Sequence, residues 1–355
     1  MERIRLIVLF GGQSAEHEIS LVTARHVLAA TDLERYDVQP VAITTTGRWV
    51  LAEETARALA AGPDALPEEL PTSGPEVSPF AVLEPVADEQ VVVLPLLHGP
   101  LGEDGTVQGL LELAGVPYAG CGVLASALAM DKAKAKEVFS ANGLPQARFR
   151  AVHERAVGDE LVEELVDQLG LPVFVKPANM GSSVGVSKAK DTLSLGQALA
   201  RAARYDEWLV VEEAIDGREL ECAVLGNLDP RASVVGEIVP GAEFYDYEDK
   251  YLDGAARTVV PADLPEPVSG EARELALRAF TALRCEGMAR VDFFYEESGR
   301  GLLVNEVNTI PGFTPISMYP KLWEASGLAY GALIDELIGL ALERYARRAA
   351  KRRTS

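Results

Sequence analysis

Residues 4–12, IRLIVLFGG, form a short apolar run that stops on two glycines, and SAEHEISLVTARHVLAAT and YDVQPVAITT follow it. The first stretch is strand-like, the second has the apolar spacing of a helix, and the third is strand-like again. That succession is a βαβ unit, and such units build a parallel sheet with helices on its faces. The opening run is not a signal peptide, because Arg5 interrupts it and no small-residue cleavage site follows. After 51–85, rich in Ala, Glu and Pro and read as an insertion of little chemical importance, VVVLPLL at 91–97 resumes the pattern.

A chain of 355 residues with 48% apolar and 25% charged residues has room for two or three globular domains. No apolar run approaches the roughly 18 residues that cross a bilayer, so no membrane partner is expected. Three widely spaced cysteines, Cys121, Cys222 and Cys285, without a C-x-x-C, argue against a disulfide framework or a zinc site and for a reducing, cytoplasmic setting. The net charge of −21 argues against nucleic acid, and the basic RYARRAAKRRTS at the C-terminus reads as a helix-end charge bias before a frayed terminus.

An Ala-rich helix, LASALAMDKAKAKEVFSANG, begins just past Gly122, where a domain boundary is expected, and ends at Asn142 and Gly143. PVFVKPA and VGVSKA then flank a glycine turn, a helix is predicted over 193–203, and WLVVEEAI is a strand. ECAVLG, SVVGEIV, MARVDFFYE and GLLVNEVN read as an antiparallel sheet. The predicted class is α/β followed by α+β. The polar stretch 240–261, with three tyrosines, has the length of a functional lid.

In LLVNEVNTIPGF, at 302–313, a buried-looking strand delivers Asn305, Glu306 and Asn308 to a Pro-Gly break. Glu306 and Asn308 share one strand face, as do Arg290 and Asp292 in MARVDFFY. Paired with those faces aligned, the strands would bring Asp292, Glu306 and Asn308 together as oxygen ligands suited to Mg²⁺. The same alternation also describes two half-solvated strands.

In VFVKPANMGSSVGVSK, at 173–188, Gly181, Ser182, Ser183 and Gly185 could cradle phosphate oxygens beside Lys176, or form a hairpin without a ligand. It is not a Walker A loop, since the chain has no Gly-Lys-Ser/Thr. LVVEEAIDGRELE ends a strand on Glu212, Glu213 and Glu219, as acceptors for adenine and ribose or as solvated surface. GGQSAEHEIS offers Ser14 as a helix cap and Glu16 as a partner for an ammonium group. His98 follows a buried strand in LLHGPLGEDG, where a lone His is as readily structural. GCGVLA, at 120–125, fits a dinucleotide fingerprint, but the acidic residue about 20 positions on that a Rossmann site needs is missing, which disfavours a nicotinamide dehydrogenase.

Read together and in order, GG-x-S-A-E-H-E-I-S, LHG-x-LGEDGT-x-QG-x-LEL, MDK, KPA-x(2)-GSSVGVSK, YDYEDKY, RVDF and NEVNT-x-PG resemble the bacterial D-alanine-D-alanine ligases of the ATP-grasp superfamily over nearly the whole chain. The resemblance implies three domains: an N-terminal α/β substrate domain at 1–122, a central ATP-grasp subdomain at 123–216, and a C-terminal one at 217–355 with the lid at 240–261. ATP would lie between the last two.

By motif position, Lys132 and Lys176 would contact ATP phosphates with Gly181, Ser182 and Ser183. Glu212, Glu213, Ala214 and Ile215 would line the adenine edge, Glu219 would bind ribose, and Lys250, Asn305 and Glu306 would complete the nucleotide site. Asp292, Glu306 and Asn308 would hold two Mg²⁺ ions, with Mn²⁺ able to replace them. Glu16, Ser182 and Tyr251 would form a hydrogen-bonded group around the first D-alanine. Arg290 and the Gly312 N–H would stabilise the transferring oxygens; His98, Ser317 and Met318 would complete the D-alanine sites.

The implied reaction passes through a D-alanyl phosphate for peptidoglycan precursor synthesis, and the family commonly forms homodimers. Tyr251 favours an amine over a hydroxyl as second nucleophile, against D-alanyl-D-lactate or D-alanyl-D-serine synthesis. A non-catalytic nucleotide-binding module would not need the metal ligands, Arg290 and Glu16 together.

Overall fold

The structure, a computed structural model, describes residues 3–86, 89–240 and 257–352. Its first sheet consists of β1 (Ile4–Gly11), β2 (Tyr36–Ile43), β3 (Trp49–Leu51) and β4 (Val91–Pro95), in the order β3-β2-β1-β4. β1 runs parallel to both β2 and β4, as the βαβ pattern predicts, and the short β3 adds an antiparallel edge. Side chains alternate across a strand, so Leu6, Val8 and Phe10 enter one core while Ile7 and Leu9 enter another on the opposite face.

The 51–85 segment is more than a loose insertion. It forms the helix Glu53–Ala61 and the short helix Pro79–Leu83, and it places Leu59, Leu66 and Leu70 in one of those cores and Val82 and Leu83 in the other. The core that holds Leu6 and Val8 also takes Leu333, Ile334, Leu337 and Ile338 from the C-terminal helix Tyr330–Arg352. The first sheet is thus covered by residues from both ends of the chain.

The second sheet contains β5 (Phe149–His153), β6 (Val173–Pro177), β7 (Ser187–Ala189) and β8 (Trp208–Glu213), in the order β5-β8-β6-β7. The helices Asp159–Leu169 and Thr192–Ala202 share a core with it. The third contains β9 (Arg218–Gly226), β10 (Arg231–Val239), β11 (Arg257–Val259), β12 (Gly287–Glu296) and β13 (Gly301–Asn308), in the order β11-β10-β9-β12-β13. All its neighbours are antiparallel, as expected for these four predicted strands, with β11 as an addition.

Two local expectations are corrected. The Ala-rich helix is two helices, Val123–Met130 and Lys132–Ala141, because Asp131 takes an extended conformation and its carboxylate caps the second by accepting from the Lys134 N–H at 3.0 Å. Ser14 does not cap the first helix, which begins at His17 with Glu16 in the cap position. The Ser14 hydroxyl instead donates to the His98 carbonyl at 2.7 Å and accepts from the Glu16 N–H at 3.2 Å. That bond ties the turn after β1 to the turn after β4, and so fixes where Glu16 stands.

Candidate active site

A cleft of about 970 Å³ collects residues from the ends of the strands and the loops between them. The predicted site residues within the described part of the chain line it, from Glu16 and His98 to Ser317 and Met318, except Gly185 of the glycine turn, which does not. Lys250 and Tyr251 lie outside the described residues.

β12 and β13 pair in the register the metal reading needs, with Asp292 opposite Glu306 and Arg290 opposite Asn308. The ladder then skips a residue between Glu306 and Val304, and the extra residue is Asn305. A bulge of this kind re-aims side chains, and here Asn305 and its neighbour Glu306 both reach the cleft.

Nδ2 of Asn308 donates to Asp292 at 2.9 Å, and Arg290 grips the same carboxylate through Nε and Nη2, both at 2.7 Å. Nε of Arg290 also lies 3.0 Å from Glu221. Burial alone would lower the Arg290 pKa, but the charges of Asp292 and Glu221 outweigh it and raise it well above its ordinary value. Two carboxylates and a carboxamide make an oxygen-only donor set, which fits a hard divalent cation that keeps waters or substrate oxygens in its other positions. Among the described residues no three His, Cys, Asp or Glu side chains cluster closely enough to hold a metal alone. The carboxamide and the substrate's oxygens would have to complete the shell.

In the loop after β6, Ser182 and Ser183 take the left-handed backbone region, with φ of 49° and 59°. Residues other than glycine sit there at a cost, and such strain concentrates at ligand-binding turns. Lys132 braces the loop, its ammonium donating to the Met180 carbonyl at 2.6 Å and standing 3.8 Å from Glu306.

The Ser182 hydroxyl donates to Oε1 of Glu16. The other Glu16 oxygen is enclosed by glycines: a Cβ on Gly99 would stand 2.8 Å from it, and one on Gly181 2.9 Å. Only hydrogen leaves room for this carboxylate at the meeting of the first-sheet loops and the glycine loop. His98, beneath it, donates from Nδ1 to the Ile310 carbonyl at 3.1 Å, and burial pushes its pKa down. Its Nε2 lies 3.4 Å from the Thr23 hydroxyl, so both ring nitrogens stand near protein groups.

At the end of β8, both charged side chains are already engaged. Glu212 is 2% exposed and lies 3.0 Å from Lys176 and 3.4 Å from Lys136. Glu213 accepts from the Arg148 guanidinium at 2.7 Å and from Arg300 at 2.6 Å. A ligand along this edge would therefore have to be met by the backbone of 212–215. The Ser317 hydroxyl lies 2.8 Å from that of Thr314, and Ser317 and Met318, at the start of the helix Met318–Ala325, both line the cleft.

Three charged residues with tertiary partners were not picked out from the sequence, Glu221 and Lys136 buried and Glu103 half-buried. Glu103 lines the cleft and accepts from the Gly99 N–H at 2.8 Å. Burial, and then the nearby charge of Glu16, push its pKa up to about 8. Glu221 partners Arg290, and Lys136 partners Glu212. Glu103 lies in the LGEDG motif, Glu221 on a predicted strand and Lys136 in the Ala-rich helical stretch, but nothing in a linear pattern distinguishes a buried Glu or Lys from a solvated one. In the GCGVLA segment both glycines meet arginines of the C-terminal helix. The Gly120 carbonyl accepts from Arg344, and a Cβ on Gly122 would lie 3.4 Å from the Arg348 guanidinium.

Two family models match the chain: "D-ala D-ala ligase N-terminus" over residues 5–121 and "D-ala D-ala ligase C-terminus" over residues 138–339. The chain is 47% identical to the D-alanine–D-alanine ligase of Acetivibrio thermocellus, with 97% of each covered. It is 49% identical to that of Halothermothrix orenii, with 97% of this chain and 99% of the relative covered. Among solved structures, the D-alanine-D-alanine ligase of Coxiella burnetii superposes with a TM-score of 0.84 at 39% identity, covering 100% of this chain and 98% of the other. The VanG D-Ala:D-Ser ligase of Enterococcus faecalis superposes with a TM-score of 0.82 at 34% identity, over 96% of this chain and 100% of the other. The chain belongs to the D-alanine–D-alanine ligase family and has its ATP-grasp fold.

Proposed function

We infer that this chain is an ATP-dependent ligase that joins two D-alanines into D-alanyl-D-alanine, releasing ADP and phosphate, for peptidoglycan precursor synthesis. The observation that carries this reading is the carboxylate of Glu16, suited to an ammonium group, bonded to Ser182 of the strained glycine loop in one cleft with Arg290. An amino-acid site and a phosphate-type loop that share a hydrogen bond suit transfer of phosphate to the amino acid's own carboxylate.

The first D-alanine would place its ammonium at Glu16. One of its carboxylate oxygens attacks the γ-phosphorus, the bond from that phosphorus to ADP breaks, and a D-alanyl phosphate results. The second D-alanine would dock its carboxylate at Ser317 and the Met318 N–H. Its amine attacks the acyl carbon, the carbon–oxygen bond to phosphate breaks, and the nitrogen gives up a proton. Arg290 and the Gly312 N–H would stabilise charge on the reacting oxygens, while Lys132, Lys176 and the loop amides hold the phosphates. Asp292, Glu306 and Asn308 would hold Mg²⁺, which when bound neutralises phosphate charge.

The domain boundaries proposed are 1–122, 123–216 and 217–355, with ATP between the second and third sheets, Lys250 and Tyr251 closing over it, and a homodimer as the assembled form. Use of ATP and three free, buried cysteines favour the cytoplasm.

A D-serine acceptor is a second reading, because one structural neighbour is named a D-Ala:D-Ser ligase. Offering D-alanine together with D-serine and D-lactate near neutral pH separates them. Dominant D-alanyl-D-alanine supports the inference; a dominant mixed dipeptide or depsipeptide contradicts it.

A further inference from the structure

The wall of the cleft holds more positive charge than its visible residues account for. Glu212 sits in the middle of the second sheet, opposite Phe149 on β5 and Phe174 on β6. Its carboxylate is 2% exposed and faces two ammonium groups: Lys176 on Oε2 at 3.0 Å and Lys136 on Oε1 at 3.4 Å. The two lysines differ in access. Lys176 lines the cleft with 14% of its side chain exposed, whereas Lys136 is 2% exposed, with its ammonium 5.6 Å above the Phe149 ring. Lys136 stands one helical turn after Lys132, so one helix face supplies both the lysine that braces the glycine loop and the one behind Glu212.

A buried carboxylate stripped of its counter-ion is costly, so a single Lys–Glu pair would resist giving its lysine to a ligand. Two lysines on one carboxylate remove that obstacle. We propose that Lys136 is a positioning residue for nucleotide binding: it keeps Glu212 neutralised while Lys176 turns from Glu212 to the phosphates of ATP. The surplus positive charge at this wall thereby becomes available to the substrate without leaving a bare buried carboxylate behind.

The pKa direction agrees with this geometry. Burial would raise Glu212, yet Lys136 and Lys176 together hold it below its ordinary value. The proposal rests on the ligase reading for the identity of the phosphate donor, and deepens it by assigning a residue that does not itself touch substrate.

The test is steady-state kinetics with ATP and D-alanine varied separately, together with calorimetric titration of Mg-ADP into the full-length protein. Lys136→Met should raise both the KM for ATP and the Kd for Mg-ADP by on the order of tenfold, the scale of one lost charge interaction. The D-alanine KM and the turnover at saturating ATP should stay within about twofold. Lys136→Arg, which keeps the positive charge beside Glu212, should restore nucleotide affinity.

Unchanged nucleotide binding in Lys136→Met, or a loss shared equally among turnover and both KM values, would overturn the proposal. If Lys136→Met does not fold, Lys136→Gln decides: a rise of about tenfold in the ATP KM and the Mg-ADP Kd at unchanged D-alanine KM supports the proposal, and values within about threefold of wild type overturn it. A wild-type protein that binds Mg-ADP but shows no D-alanine-dependent turnover would defeat the ligase reading, while the ADP titrations would still decide the role of Lys136.

Discussion

Ser182 and Glu16 are hydrogen-bonded across the cleft, hydroxyl to carboxylate, and this bond joins the glycine loop after β6 to the start of the first helix. The loop that would hold phosphate and the carboxylate that would hold an amino acid are thus one unit.

Gly181→Ala tests that unit. Gly181 does not need a left-handed backbone, and its new Cβ would meet the Glu16 carboxylate at 2.9 Å, the movable end of a side chain rather than fixed backbone. The fold should therefore tolerate the change, with stability altered by less than about 1 kcal/mol. The displaced carboxylate should lower kcat/KM for D-alanine by on the order of 10². Thermal melting and D-alanine titrations measure the two effects separately, and a loss of stability without loss of activity would contradict the placement of Glu16.

Glu103 gives stability a pH dependence. Its pKa rises from 4.5 to about 8, through burial first and the charge of Glu16 second, although part of its surface stays open to the cleft. Below pH 4.5 both folded and unfolded chains hold this proton; between 4.5 and about 8 the unfolded chain has lost it and the folded chain keeps it. The contribution of Glu103 is therefore fully present at low pH and is lost as pH rises through that window. Glu103→Gln removes the effect, so the variant should gain stability relative to wild type between about pH 5 and about pH 8.5. Melting curves across that range check it; a constant difference would be the contrary result.

Arg290 holds Asp292 with two nitrogens at 2.7 Å and Glu221 with one at 3.0 Å, so removing its charge would strand two carboxylates. Arg290→Lys keeps the charge and loses the fork. Turnover should fall by on the order of 10², the cost of a lost oxyanion donor, with the ATP KM changed less than about threefold. Near-wild-type turnover in rapid-quench assays would remove Arg290 from the reacting oxygens.

Asp292 stands opposite Glu306 and bonded to Asn308, at the centre of the oxygen-donor set. Asp292→Asn should raise the Mg²⁺ concentration for half-maximal activity by on the order of tenfold or more. A metal titration that superposes on wild type would count against this ligand.

Much of this was legible in the sequence, because strand alternation is a local property. The period of two in MARVDFFY and NEVN put Asp292, Glu306 and Asn308 on facing positions, and the antiparallel pairing realises that arrangement. The bulge at Asn305 was not legible, since register is set by the partner strand as much as by the strand itself. The break at Asp131 was hidden by the Ala-rich pattern on either side, although an Asp followed three residues later by an accessible N–H is a capping signal.

Burial of Lys136, Glu103 and Glu221 was invisible for a different reason. A charged residue reads as surface until its tertiary partner is known, and these partners lie about 70 to 90 residues away in the chain, Glu212 for Lys136, Arg290 for Glu221 and Glu16 for Glu103. The packing of Leu333 and Ile334 beneath β1 is likewise non-local, joining the two ends of the chain.

The most direct measurement is phosphate release from ATP and Mg²⁺ with D-alanine, with L-alanine, or with neither, and identification of the product by mass. The account predicts release that requires D-alanine and yields a D-alanyl-D-alanine dipeptide. Release indifferent to D-alanine, or nucleotide binding with no dipeptide formed, would contradict it.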